Sequence, residues 1–247
     1  MIARALLGGL LAFAPLPAAA TSCRTETVEG APYTICEVDL SQETLHLFLN
    51  DRSDTPYGYF SGLDAALQAG GARLGFAMNA GMYHEDRTPV GLFLENGIER
   101  QSVITAPGPG NFGLLPNGVL CLRDGRADVI ETLRFVQEAP ACNSATQSGP
   151  MLVIDGALHP RFLENSNSRY IRNGVGTSDD GKIATFVISD APVNFHTFGR
   201  VFRDHLGLRN ALYFDGNVSR LRAPDLGRDD TGFAPLGPII GVVEPAD

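Results

Sequence analysis

The sequence is short of positive charge and of long apolar runs. Its 247 residues carry 19 Lys+Arg against 28 Asp+Glu, a formal net charge of −9, and no polybasic cluster. That balance argues against a sequence-independent grip on nucleic-acid phosphates and makes an anionic membrane surface an unfavourable partner. Low-complexity segments, fixed-period repeats and long linkers are all missing, while hydrophobic residues make up 44% of the chain. The composition therefore predicts one folded domain with a full core.

Several familiar chemistries lack their signatures. There is no Gly-x-Ser-x-Gly elbow, which leaves Ser148 as a turn serine or an isolated nucleophile or ligand. His84-Glu85 lacks the second histidine of a zinc helix, and no Walker loop or dinucleotide glycine pattern occurs. The four cysteines form no Cys-x-x-Cys, so structural disulfides are expected in preference to zinc. Three pairings are possible, and the sequential ones, Cys23–Cys36 and Cys121–Cys142, would each close a short loop.

Residues 1–20 combine Arg4, an apolar run from Ala5 to Ala14, Pro15, Pro17 and Ala18-Ala19-Ala20. This pattern predicts an export signal cleaved before Thr21, and hence a periplasmic or secreted protein of residues 21–247. The apolar run falls well short of the roughly 20 residues that span a bilayer, so no integral membrane segment is expected in the mature chain. A lipid anchor at Cys23 would need a large aliphatic residue where Ala20-Thr21-Ser22 stands.

The remainder reads as α+β, a mixed and largely antiparallel sheet with hairpins and a few helices. Ser61 is placed to cap a short helix that ends at Gly70-Gly71. Leu74–Met78 reads as a buried strand. Val90–Glu95 and Ile98–Ile104 flank Asn96-Gly97, and Asn111–Leu115, Val119–Arg123 and Arg126–Ile130 form a meander around Asp124-Gly125. Met151–Ile154 precedes the turn Asp155-Gly156, and Val175–Thr177 and Ile183–Ser189 bracket Asp179-Asp180-Gly181. Phe195, Phe198, Phe202 and Leu206 recur at helical spacing behind Asn194. Strand, helix and the run Ala211–Phe214 thus predict a right-handed crossover between parallel neighbours.

Three apolar strands run into polar residues, at Asn79, Asp190 and Asp215-Gly216-Asn217. Ligands favour the carboxyl ends of strands joined by such crossovers, so Asp190 and Asp215 could share a pocket; turn chemistry is the competing reading. Asp215-x-Asn217-x-Ser219 has calcium-loop spacing, but Arg220 and Leu226 replace the glycine and the glutamate. An EF-hand is excluded, and an irregular site for a divalent cation such as calcium stays open.

Five ordered segments carry a resemblance: Ala77-Met78-Asn79-Ala80-Gly81-Met82-Tyr83, Pro116-Asn117-Gly118-Val119, Thr146-Gln147-Ser148-Gly149-Pro150-Met151-Leu152, Arg172-Asn173-Gly174-Val175-Gly176 and Ala211-Leu212-Tyr213-Phe214-Asp215-Gly216. From about Cys36 onward the chain resembles an exported bacterial branch of the phosphodiester glycosidase family, with an uncovering-enzyme-like catalytic domain. The resemblance implies an exported hydrolase that releases a sugar from a phosphodiester in an envelope or extracellular glycan. Asp215, Arg172 and Asn79 would be catalytic, with Asp215 at the oxocarbenium-like centre or on the attacking water, and Arg172 on the phosphate. Tyr83, Thr146, Gln147, Ser148, Asn173, Asp190, Ser219 and His159 would bind substrate. The family's Asp-Gly-Gly-Gly-Ser loop is Asp215-Gly216-Asn217-Val218-Ser219 here, which lacks two of the glycines that let backbone cradle phosphate. The alternative is a non-catalytic periplasmic module that binds a glycan or phosphorylated polymer.

Overall fold

The computed structural model describes residues 21–246; the predicted leader, residues 1–20, lies outside the described residues. Three antiparallel sheets surround a shared core. The largest has seven strands in the order Thr21–Val28, Ala31–Asp39, Ile183–Ser189, Asn173–Thr177, Asn210–Asp215, Met151–Ile154 and Ala157–Leu158. The second contains Ala72–Asn79 between Leu221–Ala223 and Ile239–Pro245, and the third contains Ser144–Ser148 between Phe93–Glu95 and Gly118–Arg123. Side chains from all three meet: Val38, Leu47, Phe76, Leu120, Phe186 and Phe214 belong to one buried cluster.

The seven-stranded sheet is apolar on both faces. Its outer face carries Tyr33, Ile35, Leu152 and Val187 against Phe198, Val201 and Phe202 of the segment behind Asn194. Double-sided burial explains why Ile183–Ser189 reads as a continuous apolar run without alternation. Asn194 caps that segment as expected, accepting a hydrogen bond from Thr197 N at 2.8 Å. The helix Phe195–Arg200 then widens into a π-helical turn over Val201–His205, where Leu206 N donates to Val201 O at 3.0 Å.

The crossover differs from expectation. Ile183–Ser189 and Asn210–Asp215 are each antiparallel to Asn173–Thr177, which lies between them. They therefore run parallel to one another without being neighbours. Glycines make the insertion possible: a Cβ on Gly174 would collide with Leu212 O, and one on Gly176 with the Leu208 side chain. Two smaller corrections concern local signals. The helix Phe60–Gln68 begins one residue before Ser61, with Tyr59 at the N-cap and no side-chain capping bond. Asn111–Leu115 is a succession of turns, because Gly113 packs directly on the Gly108 backbone and Gly110 takes φ 66°.

The hairpin signals correspond to formed turns. Asn96 and Gly97 have φ of 51° and 80°, and Asp155 and Gly156 have 50° and 89°, the twist that tight two-residue hairpins require. Both disulfides have the sequential pairing. Cys23 and Cys36 face each other in the first hairpin, and Cys121–Cys142 ties the third sheet to the segment before Ser144, closing a separation of 21 residues. A Cys121→Ala/Cys142→Ala protein is expected to lose about 3 kcal/mol through released loop entropy, read as a lower urea midpoint. An unchanged midpoint would assign the bridge no role in stability. Among the described residues no helix is long and apolar enough to cross a membrane.

Candidate functional site

The first and second sheets meet where Ala72–Asn79 and Asn210–Asp215 end and Asn173–Thr177 begins. Asn79 and Asn173 are fully buried there and bind each other. Asn173 Nδ2 donates to Asn79 Oδ1 at 3.0 Å and to Asn79 O at 3.1 Å, while Asn173 Oδ1 accepts from Asp215 N at 3.1 Å. Arg220 N donates to Asn79 Oδ1 at 2.9 Å. The two asparagines thus clasp the first and second sheets and fix both ends of the loop 215–220.

Within that loop the Asp215 carboxylate folds back on its own backbone. Oδ1 accepts from Gly216 N at 2.6 Å and Asn217 N at 2.8 Å, which fills the backbone cradle that would otherwise receive an anion. Oδ2 takes no hydrogen bond from the described residues. Asp215 lines a cavity of about 460 Å³ together with Tyr83, His84, Arg87, Phe112 and Val218. Its volume lies in the range of small-molecule sites, roughly 300–1,000 Å³. Burial pushes the Asp215 carboxyl above the usual aspartate range, opposed by the N–H groups of Asn217, Gly216 and Val218. One oxygen held and the other free, in a partly desolvated setting, makes an oriented base or nucleophile.

Ser219 closes the loop. Its hydroxyl lies within donating distance of Asp215 O (2.8 Å), Ile171 O (3.1 Å) and Asn173 Oδ1 (3.2 Å). Asp215 Oδ1 and the Ser219 hydroxyl are therefore turned onto protein groups. Among the described residues no three His, Cys, Asp or Glu side chains gather as a metal site. Gly216 has no room for a side chain, since a Cβ there would collide with Tyr213 Oη. Gly216→Ala is expected to cost about 1–3 kcal/mol of stability and to lower turnover by displacing Asp215. An unaltered urea midpoint together with wild-type turnover would show that the loop yields instead.

Arg172 lies behind this loop and is fully enclosed. Nε donates to Val193 O at 2.9 Å, Nη2 to Ser168 O at 3.1 Å and Nη1 to Tyr213 Oη at 3.3 Å, while the guanidinium lies 3.6 Å from the centroid of Phe195. It has no carboxylate partner among the described residues, and burial draws its pKa below the ordinary arginine value. Its charge supports the wall beneath Gly216 and has no surface in the cavity.

The other predicted residues separate into two groups. Tyr83 lines the cavity, and its hydroxyl donates to Pro235 O at 3.2 Å; burial raises its pKa to about 12, so it is a neutral phenol. Thr146, Gln147 and Ser148 lie in one buried strand and are hydrogen-bonded to protein groups. Thr146 Oγ1 donates to Ala80 O at 2.8 Å, and Ser148 Oγ to Phe214 O at 3.0 Å. The Gln147 amide holds Leu92 N, Ile104 N, Ile104 O and Thr132 Oγ1. Asp190 pairs with Arg228 at 2.5 Å and accepts from Thr34 Oγ1 at 2.9 Å. The inserted strand Asn173–Thr177 separates it from Asp215, so the two carboxylates do not share the cavity. His159 is buried against Phe162, with their ring centroids 4.8 Å apart, and burial lowers its pKa and keeps it neutral. Arg87, His84 and Phe112 were missed in the sequence. The one available signal was a cation in the turn directly after the Asn79–Tyr83 motif.

Residues 72–242 match the model of the phosphodiester glycosidase family. The chain belongs to that family. It is 32% identical over 184 residues to the uncharacterized protein YigE of Escherichia coli (strain K12), covering 74% of this chain and 71% of that protein. Its fold is similar to the zebrafish N-acetylglucosamine-1-phosphodiester alpha-N-acetylglucosaminidase catalytic domain auto-inhibited by pro-peptide. The TM-score is 0.61 at 11% identity, covering 92% of this chain and 84% of that one. A Burkholderia pseudomallei K96243 protein described as exported matches at TM-score 0.56 and 11% identity, over 86% of this chain and 74% of that one. Within this family fold, three of the segments read from the sequence, those of Asn79, Asn173 and Asp215, meet at the clasp.

Proposed function

We propose that this chain is an exported hydrolase that cleaves the bond between the anomeric carbon of a sugar and the phosphate of a phosphodiester in an envelope or extracellular glycan. The observation that carries the reading is the Asp215 carboxylate: Oδ1 is clamped by backbone N–H groups, Oδ2 takes no hydrogen bond from the described residues, and the residue lines a cavity. Water attacks the anomeric carbon as its bond to the phosphate oxygen breaks, and Asp215 Oδ2 takes the proton that the water loses. The leaving oxygen keeps the bonding electron pair and departs as a phosphate monoester. Because the second pKa of such a monoester is about 6, it leaves without the strong acid that a sugar alcohol needs. A carboxylate with a raised pKa is the better base for this step. The export signal predicted from residues 1–20 and the two disulfides support a periplasmic or secreted location.

The test is release of free sugar and phosphate monoester from a panel of sugar phosphodiesters by the oxidised protein beginning at Thr21, with and without chelator. Turnover that disappears in Asp215→Asn supports the reading. Saturable binding of the same compounds with no product would replace it with that of a binding module.

A further inference from the structure

We propose that Arg87 is the residue that binds the substrate's phosphate and sets the preference for phosphodiesters, an inference that rests on the function proposed above. A phosphate seated beside Asp215 needs a cation in the same cavity, because the neighbouring carboxylates Asp215 and Glu85 would otherwise repel it. Arg172 cannot supply it: it is fully enclosed and each of its three nitrogens is hydrogen-bonded. Arg220 is buried, gives Nη2 to Ala234 O at 2.6 Å and borders a different cavity, on the far side of the loop 216–220. The loop's own N–H groups at 216 and 217 are occupied by Asp215 Oδ1. Arg87 lines the cavity, is partly exposed and has no carboxylate partner among the described residues.

Its position is built. A tight turn closes through His84 N to Thr88 O at 2.8 Å and Arg87 N to His84 O at 2.9 Å, and Asp86 Oδ1 accepts from Thr88 N and Thr88 Oγ1. This turn holds Arg87 at φ 73°, a left-handed conformation that costs a residue with a Cβ about 1–2 kcal/mol. The guanidinium lies 5.4 Å from the centroid of the Tyr83 ring, and Tyr83 lines the same cavity. Stacking on the ring limits the rotamers of a long side chain, and the planar fork of donors suits two phosphate oxygens at once. His84, on the same turn, borders the cavity as a second donor.

The experiment measures binding of methyl phosphate, a stand-in for the leaving monoester, by calorimetry to the wild-type protein, Arg87→Gln and Arg87→Lys. Arg87→Gln is expected to weaken binding about 10–100-fold, the effect of a charge-assisted pair, and Arg87→Lys to recover part of it. With a phosphodiester that the wild type cleaves, the loss in Arg87→Gln falls mainly on KM. Arg87→Gly, which relaxes the backbone, should bind as poorly as Arg87→Gln while melting no lower than wild type. No methyl phosphate binding by the wild type, or equal binding by Arg87→Gln, overturns the assignment. Loss of turnover in Asp215→Asn with Arg87→Gln unchanged removes Arg87 and leaves the hydrolase. Methyl phosphate binding that depends on Arg87 in a protein that cleaves no phosphodiester removes the hydrolase and keeps the phosphate site.

Discussion

Replacing Asp215 by asparagine is expected to reduce cleavage of a sugar phosphodiester by about 10³-fold or more while raising the melting temperature near neutral pH. The loss of rate follows from removing the proton acceptor; a positioned general base contributes typically about 10²–10⁴-fold. The gain in stability follows from burial. The Asp215 carboxyl is raised above its ordinary value by desolvation, so the folded chain binds that proton more tightly than the unfolded chain. At a pH below the ordinary aspartate value both states are protonated and the burden of a desolvated charge is absent. It grows as pH rises past that value and is complete above the raised folded pKa. Asparagine, neutral throughout, should therefore melt level with wild type at low pH and progressively above it as pH increases. Its Oδ1 can still accept from Gly216 N and Asn217 N, so the loop has no reason to open. Thermal unfolding of both proteins across that range, beside single-turnover kinetics, measures the two effects separately. Retained turnover would remove Asp215 from the chemistry, and a melting difference independent of pH would remove desolvation as the cause.

Much of the fold was legible because its signals are local. Asn96-Gly97 and Asp155-Gly156 dictate tight turns through residues that accept positive φ, and Asn194 caps a helix whose phenylalanines mark its buried face. Glu29-Gly30 makes a turn with the same sign pattern, at 50° and 80°, but glutamate is a weak turn signal and the first hairpin escaped notice. Insertion of Asn173–Thr177 between Ile183–Ser189 and Asn210–Asp215 is a non-local choice that no short window contains. The site shows the same division. Asp215 could be found as a carboxylate after an apolar strand. Amides and hydroxyls that orient a sugar are, however, the same groups that satisfy buried backbone. Whether Asn173 faces a ligand or Asn79, 94 residues away in sequence, is decided only by the assembled sheets.

The clasp itself should dominate stability. Asn173→Ala removes the acceptor of Asp215 N and the donor to Asn79 O and Asn79 Oδ1 at the junction of two sheets, while Asn79 Oδ1 keeps Arg220 N and Ser219 Oγ keeps Asp215 O and Ile171 O. Each buried group left unpaired costs about 1–3 kcal/mol; neighbouring losses do not add fully, and an expected total of roughly 2–4 kcal/mol is a large share of the stability of a domain. Asn173→Asp offers no rescue, since it keeps the acceptor, loses both donors and sets a buried charge against Asn79 Oδ1. Ser148→Ala is the comparator: it removes a single bond, to Phe214 O, from the same region. Urea unfolding should therefore place Asn173→Ala well below Ser148→Ala, and an equal or smaller loss would mean that the clasp is incidental to the fold. Because Asp215 N is one of the abandoned partners, turnover by the fraction that remains folded should also fall. That coupled loss would tie Asn173 to turnover through the Asp215 backbone that it holds.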